Sequence, residues 1–88
     1  MGLEEYGIYS LTELMRGMWV VLDGKTKRKL WEGEARGPGH AKALYLRGAG
    51  APAGMSKGDD EALDASLPEL EAMTLWNYEV SQGHVSIP

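Results

Sequence analysis

The chain has 88 residues, of which 43% are hydrophobic, and it carries a formal net charge of −4 and no cysteine. That length makes one domain, residues 1–88, with a thin core. The missing cysteines exclude disulfides and thiolate metal sites, and with His40 and His84 as the only imidazoles no cofactor or metal is expected.

The first residues, MGLEEYGIY, show neither the basic start nor the apolar run of a signal peptide. Gly2 is not followed by the Ser or Thr that myristoylation wants, because position 6 is Tyr. No apolar stretch approaches the ~20 residues of a membrane span. A cytoplasmic protein with no membrane partner is the expectation. Tyr6 and Ile8 alternate as in a short strand over 6–9. Ser10 to Glu13, SLTE, then forms a capping box that opens a helix over 11–16, with Gly17 as its left-handed stop.

MWVVLD, residues 18–23, is the clearest strand, and it runs into the turn pair Asp23-Gly24. RKLWEGEA, residues 28–35, is its hairpin partner. A two-residue turn would set Trp19 opposite Arg28 and Val21 opposite Thr26. A five-residue loop over 23–27 would instead set Trp19 opposite Trp31 and Val20 opposite Leu30. The second register pairs like side chains, each pair worth up to ~1 kcal/mol, and is preferred.

GPGHAKALYLRGAG, residues 37–50, reads as a turn, a helix over about 39–47 and a glycine stop. Ala41, Leu44 and Tyr45 make its apolar stripe, with Lys42 and Arg47 off it. The Gly, Ala and Pro residues of 48–58 give a flexible loop. DDEALDASLPELEAM, residues 59–73, reads as helix in two pieces: acids crowd the first turn, and a second capping box, SLPE, restarts it after Pro68. TLWNYEV (74–80) and HVSIP (84–88) read as strands around a Ser81-Gln82-Gly83 turn. The expected fold class is α+β: a small, mostly antiparallel sheet, built from the hairpin over 18–35 and the C-terminal strands, with two or three short helices on one face.

Charge is sorted along the chain. Residues 16–47 carry eight cations against Asp23, Glu32 and Glu34, whereas 48–88 carry Lys57 against seven acids. Lys25, Lys27, Arg28 and Lys29 form a basic hairpin tip. Such a tip could meet nucleic-acid phosphates, with Trp31 as a stacking platform. The acidic balance of the whole chain favours the reading of a solvated tip whose lysines discourage strand addition. The acidic run Asp59, Asp60, Glu61 and Asp64 lacks the alternating ligands and central glycine of a calcium loop and reads as a helix start, while the acidic half as a whole could imitate nucleic-acid charge or dock against a basic protein surface.

Other chemistry is weakly signalled. GAGAPAG (48–54) misses the dinucleotide fingerprint by one residue and follows a helix; GPG (37–39) opens a helix but lacks the lysine and hydroxyl of a phosphate loop. Glu32 and Glu34 share a strand face without any sign of a cleft, and His40 sits at a helix start. A chain this short leaves little room for a pocket of ~300 Å³ or more. Trp19, Trp31, Trp76, Tyr45 and Tyr78 read as core, though an exposed aromatic cluster would mark an interface.

The composite expectation is a small non-enzymatic module that binds another macromolecule. Its partner is expected to be a protein, and the chain an inhibitor or accessory subunit of the kind phages and mobile elements encode. The contact residues are expected among Lys25, Lys27, Arg28, Lys29, Asp59, Asp60, Glu61 and Asp64. The alternatives are a nucleic-acid-binding domain that uses the basic hairpin, and a small enzyme or a homo-oligomeric structural protein, for which a homodimer through an edge strand is open.

Overall fold

The computed structural model describes residues 15–52 and 54–83. The expected strand over 6–9, most of the helix over 11–16 and the strand over 84–88 lie outside them. Along the described chain run β1 (Met18–Asp23), β2 (Lys29–Glu34), α1 (Pro38–Arg47), a 3-10 turn (Gly48–Gly50), α2 (Lys57–Ser66), β3 (Leu70–Thr74) and α3 (Leu75–Ser81). The three strands form one antiparallel sheet in the order β2-β1-β3. This is the expected small α+β fold.

β1 is the central strand, and both of its faces are covered. Val20 and Leu22 pack with Leu75 of α3, joined by Met15, Met18, Met73 and Tyr78. Val21 points the other way, against Ala35 and Ala41 of α1, with Trp19, Trp31, Leu44, Leu70 and Ala72 around it. A strand buried on two faces reads as an unbroken apolar run rather than an alternating one, which explains MWVVLD. Val20 and Val21 are both 0% exposed. The expectation of helices on one face is therefore corrected: α1 covers one face of the sheet and carries α2 on its back, whereas α3 covers the other face.

The hairpin register differs from both expected ones. Val21 lies opposite Trp31, Trp19 opposite Gly33 and Val20 opposite Glu32, and a bulge then brings Leu22 opposite Lys29. Turn chemistry sets this. The Asp23 carboxylate accepts the backbone N–H groups of Lys25 (2.8 Å) and Thr26 (2.9 Å). Asp23 N donates to Arg28 O at 2.9 Å, and Lys27 adopts φ 63° to close the tip. Leu30 becomes the extra residue of the bulge. The Trp31 ring lies across Gly33, where a Cβ would come within 2.6 Å of it, so the two tryptophans share a face diagonally instead of pairing directly.

α1 starts at Pro38, whose fixed φ suits a first helical position. It stops at Gly48, which takes φ 55°. Within it Ala41 is buried and Leu44 packs on the core as expected, but Tyr45 is 36% exposed and Lys42 only 3%.

α2 begins at Lys57, so the segment read as a loop over 48–58 ends earlier, because the Ser56 side chain accepts the Asp59 N–H at 3.1 Å. The helix does not restart after Pro68. Ser66 Oγ donates backwards to Leu63 O (2.8 Å), and Leu70 N closes a turn on Leu67 O (3.1 Å), sending the chain into β3. The expected strand over 74–80 is helix instead. Thr74 Oγ1 accepts the Asn77 N–H at 3.2 Å and caps α3, so Leu75 is turned down onto Val20 and Leu22.

Candidate functional site

The hairpin tip shows what happens to the expected basic patch. Lys27 Nζ forms an ion pair with Glu71 of β3. Lys29 Nζ pairs with Glu32 at 2.8 Å and lies 5.4 Å from the centroid of the Tyr78 ring. The hydrogen bond to Glu32 holds the Lys29 ammonium above its ordinary pKa. The N–H groups of Thr26 and Lys25 hold the Asp23 carboxyl below its ordinary value. Lys25 and Arg28 have no side-chain ion pair among the described residues. Half of the patch is thus matched inside the fold. Glu32, half of the carboxylate pair seen in the sequence, is one of its partners.

The acidic run divides in the same way. Asp60 lies in α2, but its side chain caps another helix. Its two oxygens accept the backbone N–H groups of His40 (2.7 Å) and Gly39 (3.3 Å) at the start of α1. The helix start that GPG provides for an anion is therefore filled from within. Glycine is required there, because a Cβ on Gly37 would stand 2.6 Å from the Asp60 carboxylate and one on Gly39 would stand 2.1 Å from its carbonyl oxygen. One turn further along α2, Asp64 Oδ1 pairs with Lys42 Nζ at 2.9 Å. The same ammonium donates to the carbonyls of Asp64 and Leu67, each at 2.9 Å. Its three N–H groups meet three acceptors, which is what allows a lysine to be buried. Asp59 and Glu61 remain exposed.

Two ion pairs, Lys27–Glu71 and Lys42–Asp64, join the basic stretch over 16–47 to the acidic stretch over 48–88. The sorting of charge along the sequence is thus in part an internal device.

His40 Nδ1 accepts the Arg36 N–H at 3.0 Å, tying down the turn that enters α1. That turn forms one wall of a cleft that no local motif announces. The cleft is open to solvent, encloses about 490 Å³, and lies between Trp19, Arg36 and Pro38 on one side and Met55, Lys57 and Glu61 on the other. It is larger than the expected limit for so short a chain. Trp19, Pro38 and Met55 supply apolar surface. Arg36 and Lys57 supply two cations that have no ion pair among the described residues. Its walls come from β1, the entry to α1 and the entry to α2, three stretches far apart in sequence, which is why no local motif marks it.

Among the described residues no group of three or more His, Asp or Glu side chains could hold a metal ion, and no helix is long and apolar enough to cross a membrane. No family model matches the chain, and no curated protein and no solved structure is significantly similar to it.

Proposed function

We propose that this chain is a small non-enzymatic protein-binding module, of the inhibitor or accessory-subunit kind, and that it docks its partner through the cleft beside Trp19. One observation carries the reading. The cleft gathers an aromatic ring, a methionine and an arginine, the residue types enriched where proteins bind proteins, in a place where neither cation is neutralised by an ion pair among the described residues. The expected contact residues at the hairpin tip are weaker candidates because Lys27 and Lys29 already have partners. Asp60 and Asp64 hold α1 against α2 and serve the fold.

The same geometry disfavours nucleic acid as the partner. Asp60 and Glu61 line the cleft beside the two cations, and the chain as a whole carries −4; both features oppose a polyphosphate. An acid–base role for the two most conspicuous titratable groups is also disfavoured, since His40 Nδ1 and the Lys42 ammonium are engaged with backbone groups.

The test is photo-crosslinking in the native host, with benzoyl-phenylalanine placed at position 61, exposed on the cleft wall, or, separately, at position 25. Position 61 is expected to capture a protein, resistant to nuclease, that position 25 does not. A nuclease-sensitive adduct, or the same adduct from both positions, refutes the assignment.

A further inference from the structure

Granting that reading, the chemistry of the cleft defines what it holds, and we infer that its occupant is a short acidic segment of a partner protein that carries an apolar anchor. The volume of about 490 Å³ lies in the lower part of the ~300–1,000 Å³ range of ligand pockets and fits a pair of side chains rather than a folded surface. Trp19, Pro38 and Met55 provide the apolar surface for the anchor.

The charge balance of the cleft selects the flanking residues. Four charged groups line it: Arg36, Lys57, Asp60 and Glu61. Asp60 is directed at the first N–H groups of α1, at 2.7 and 3.3 Å, so the positive end of that helix offsets its charge. Two cations then share the cleft with one carboxylate, Glu61, that has no ion pair among the described residues. A carboxylate from the partner completes the set, and the Arg36 fork suits it.

A phosphate group is the poorer match. Of the backbone N–H groups that could hold its extra oxygens, those of Gly39 and His40 in α1 are taken by Asp60, and that of Asp59 in α2 by Ser56. The net charge of −4 opposes long-range attraction of an acidic partner, so the recognition acts at contact range and association runs at an ordinary, unsteered rate.

The experiment is selection of a random peptide display library on the immobilised full chain, followed by fluorescence-polarisation titration of the enriched sequence as a labelled synthetic peptide. Enriched peptides are expected to place Asp or Glu beside Leu, Met or an aromatic residue. Arg36→Glu and Lys57→Glu, both exposed and outside the core, should each weaken binding by about tenfold while the chain stays folded. Replacing the peptide's acids with amides should do the same.

Basic or neutral enriched peptides that still lose binding on Lys57→Glu would overturn this inference and leave the cleft as a docking site. Preference for a phosphorylated version of the peptide over its acidic counterpart would overturn it too. Peptides whose binding ignores both charge reversals would overturn the cleft assignment itself, as would the absence of any enrichment.

Discussion

Gly39→Ala sets two opposite effects against each other. Alanine is the better helix former, and in an open helix position the exchange stabilises by up to about 1 kcal/mol. At Gly39, however, the new Cβ would lie 2.1 Å from the carbonyl oxygen of Asp60 and 3.0 Å from the carbonyl carbon of Asp60 and the amide of Asp64. All three are backbone atoms of α2, and none can swing aside. Bringing the 2.1 Å contact to an ordinary ~3.5 Å requires α1 and α2 to part by roughly 1.4 Å. Overpacking of that kind costs about 1–3 kcal/mol, and stretching the Asp60 cap on α1 adds about 0.5–2 kcal/mol. The expected net result is destabilisation by about 2 kcal/mol.

Gly58→Ala is the control. Gly58 also lies in a helix, α2, but nothing stands within 4 Å of its Cβ position, so this variant should gain about 0.4–1 kcal/mol. Urea unfolding followed by tryptophan fluorescence reads both, as opposite shifts of the midpoint at unchanged slope. A Gly39→Ala chain as stable as the parent would refute the close approach of α1 and α2.

Three further outcomes follow from the same contacts. Lys42→Met strips two carbonyls and the Asp64 carboxylate of a buried donor; because the Asp64 side chain is 39% exposed and can rehydrate, the loss should be about 2–3 kcal/mol, short of the ~3–5 for breaking a fully buried pair, and an unchanged urea midpoint would contradict it. Thr74→Ala should destabilise by about 1 kcal/mol, with Thr74→Ser restoring most of it, if Thr74 caps α3; equal stability of all three chains would count against a helix there. The Asp23 carboxyl sits below its ordinary value of 3.8 because it accepts the N–H groups of Thr26 and Lys25. Its contribution is therefore complete above that pH and disappears as pH falls through the lower folded value. In an acid titration of stability, Asp23→Asn should flatten the limb below pH 3.8, and an unaltered limb would refute the Asp23 turn.

Much of the scaffold was legible locally. MWVVLD announced a strand, though not that both of its faces are buried, and the glycine stop ended α1 by simple backbone chemistry. What escaped depends on partners distant in sequence or on rare conformations. The β-formers Trp76, Tyr78 and Val80 suggested a strand, but Thr74 caps a helix there and the sheet edge is already occupied by Leu70–Thr74. The register turns on Lys27 accepting φ 63°, which no lysine advertises. Asp60 looked like a residue of its own first turn and serves the helix that precedes it. Lys42 looked solvated because its three acceptors lie 22 to 25 residues away, at the end of α2. The candidate cleft was invisible for the same reason: Lys57 was read as a loop residue, and Arg36 fell between the expected strand and the turn that follows it. The hairpin cations were the most visible feature of the sequence, yet two of the four are matched by Glu71 and Glu32.

The claim that the cleft, and not the hairpin tip, is the working surface is tested most directly by amide hydrogen exchange of the full chain with and without the protein captured from position 61. Protection on binding should concentrate at residues 36–38 and 55–57 while 24–28 exchange as in the free chain. Protection at 24–28 with the cleft unchanged would contradict the account.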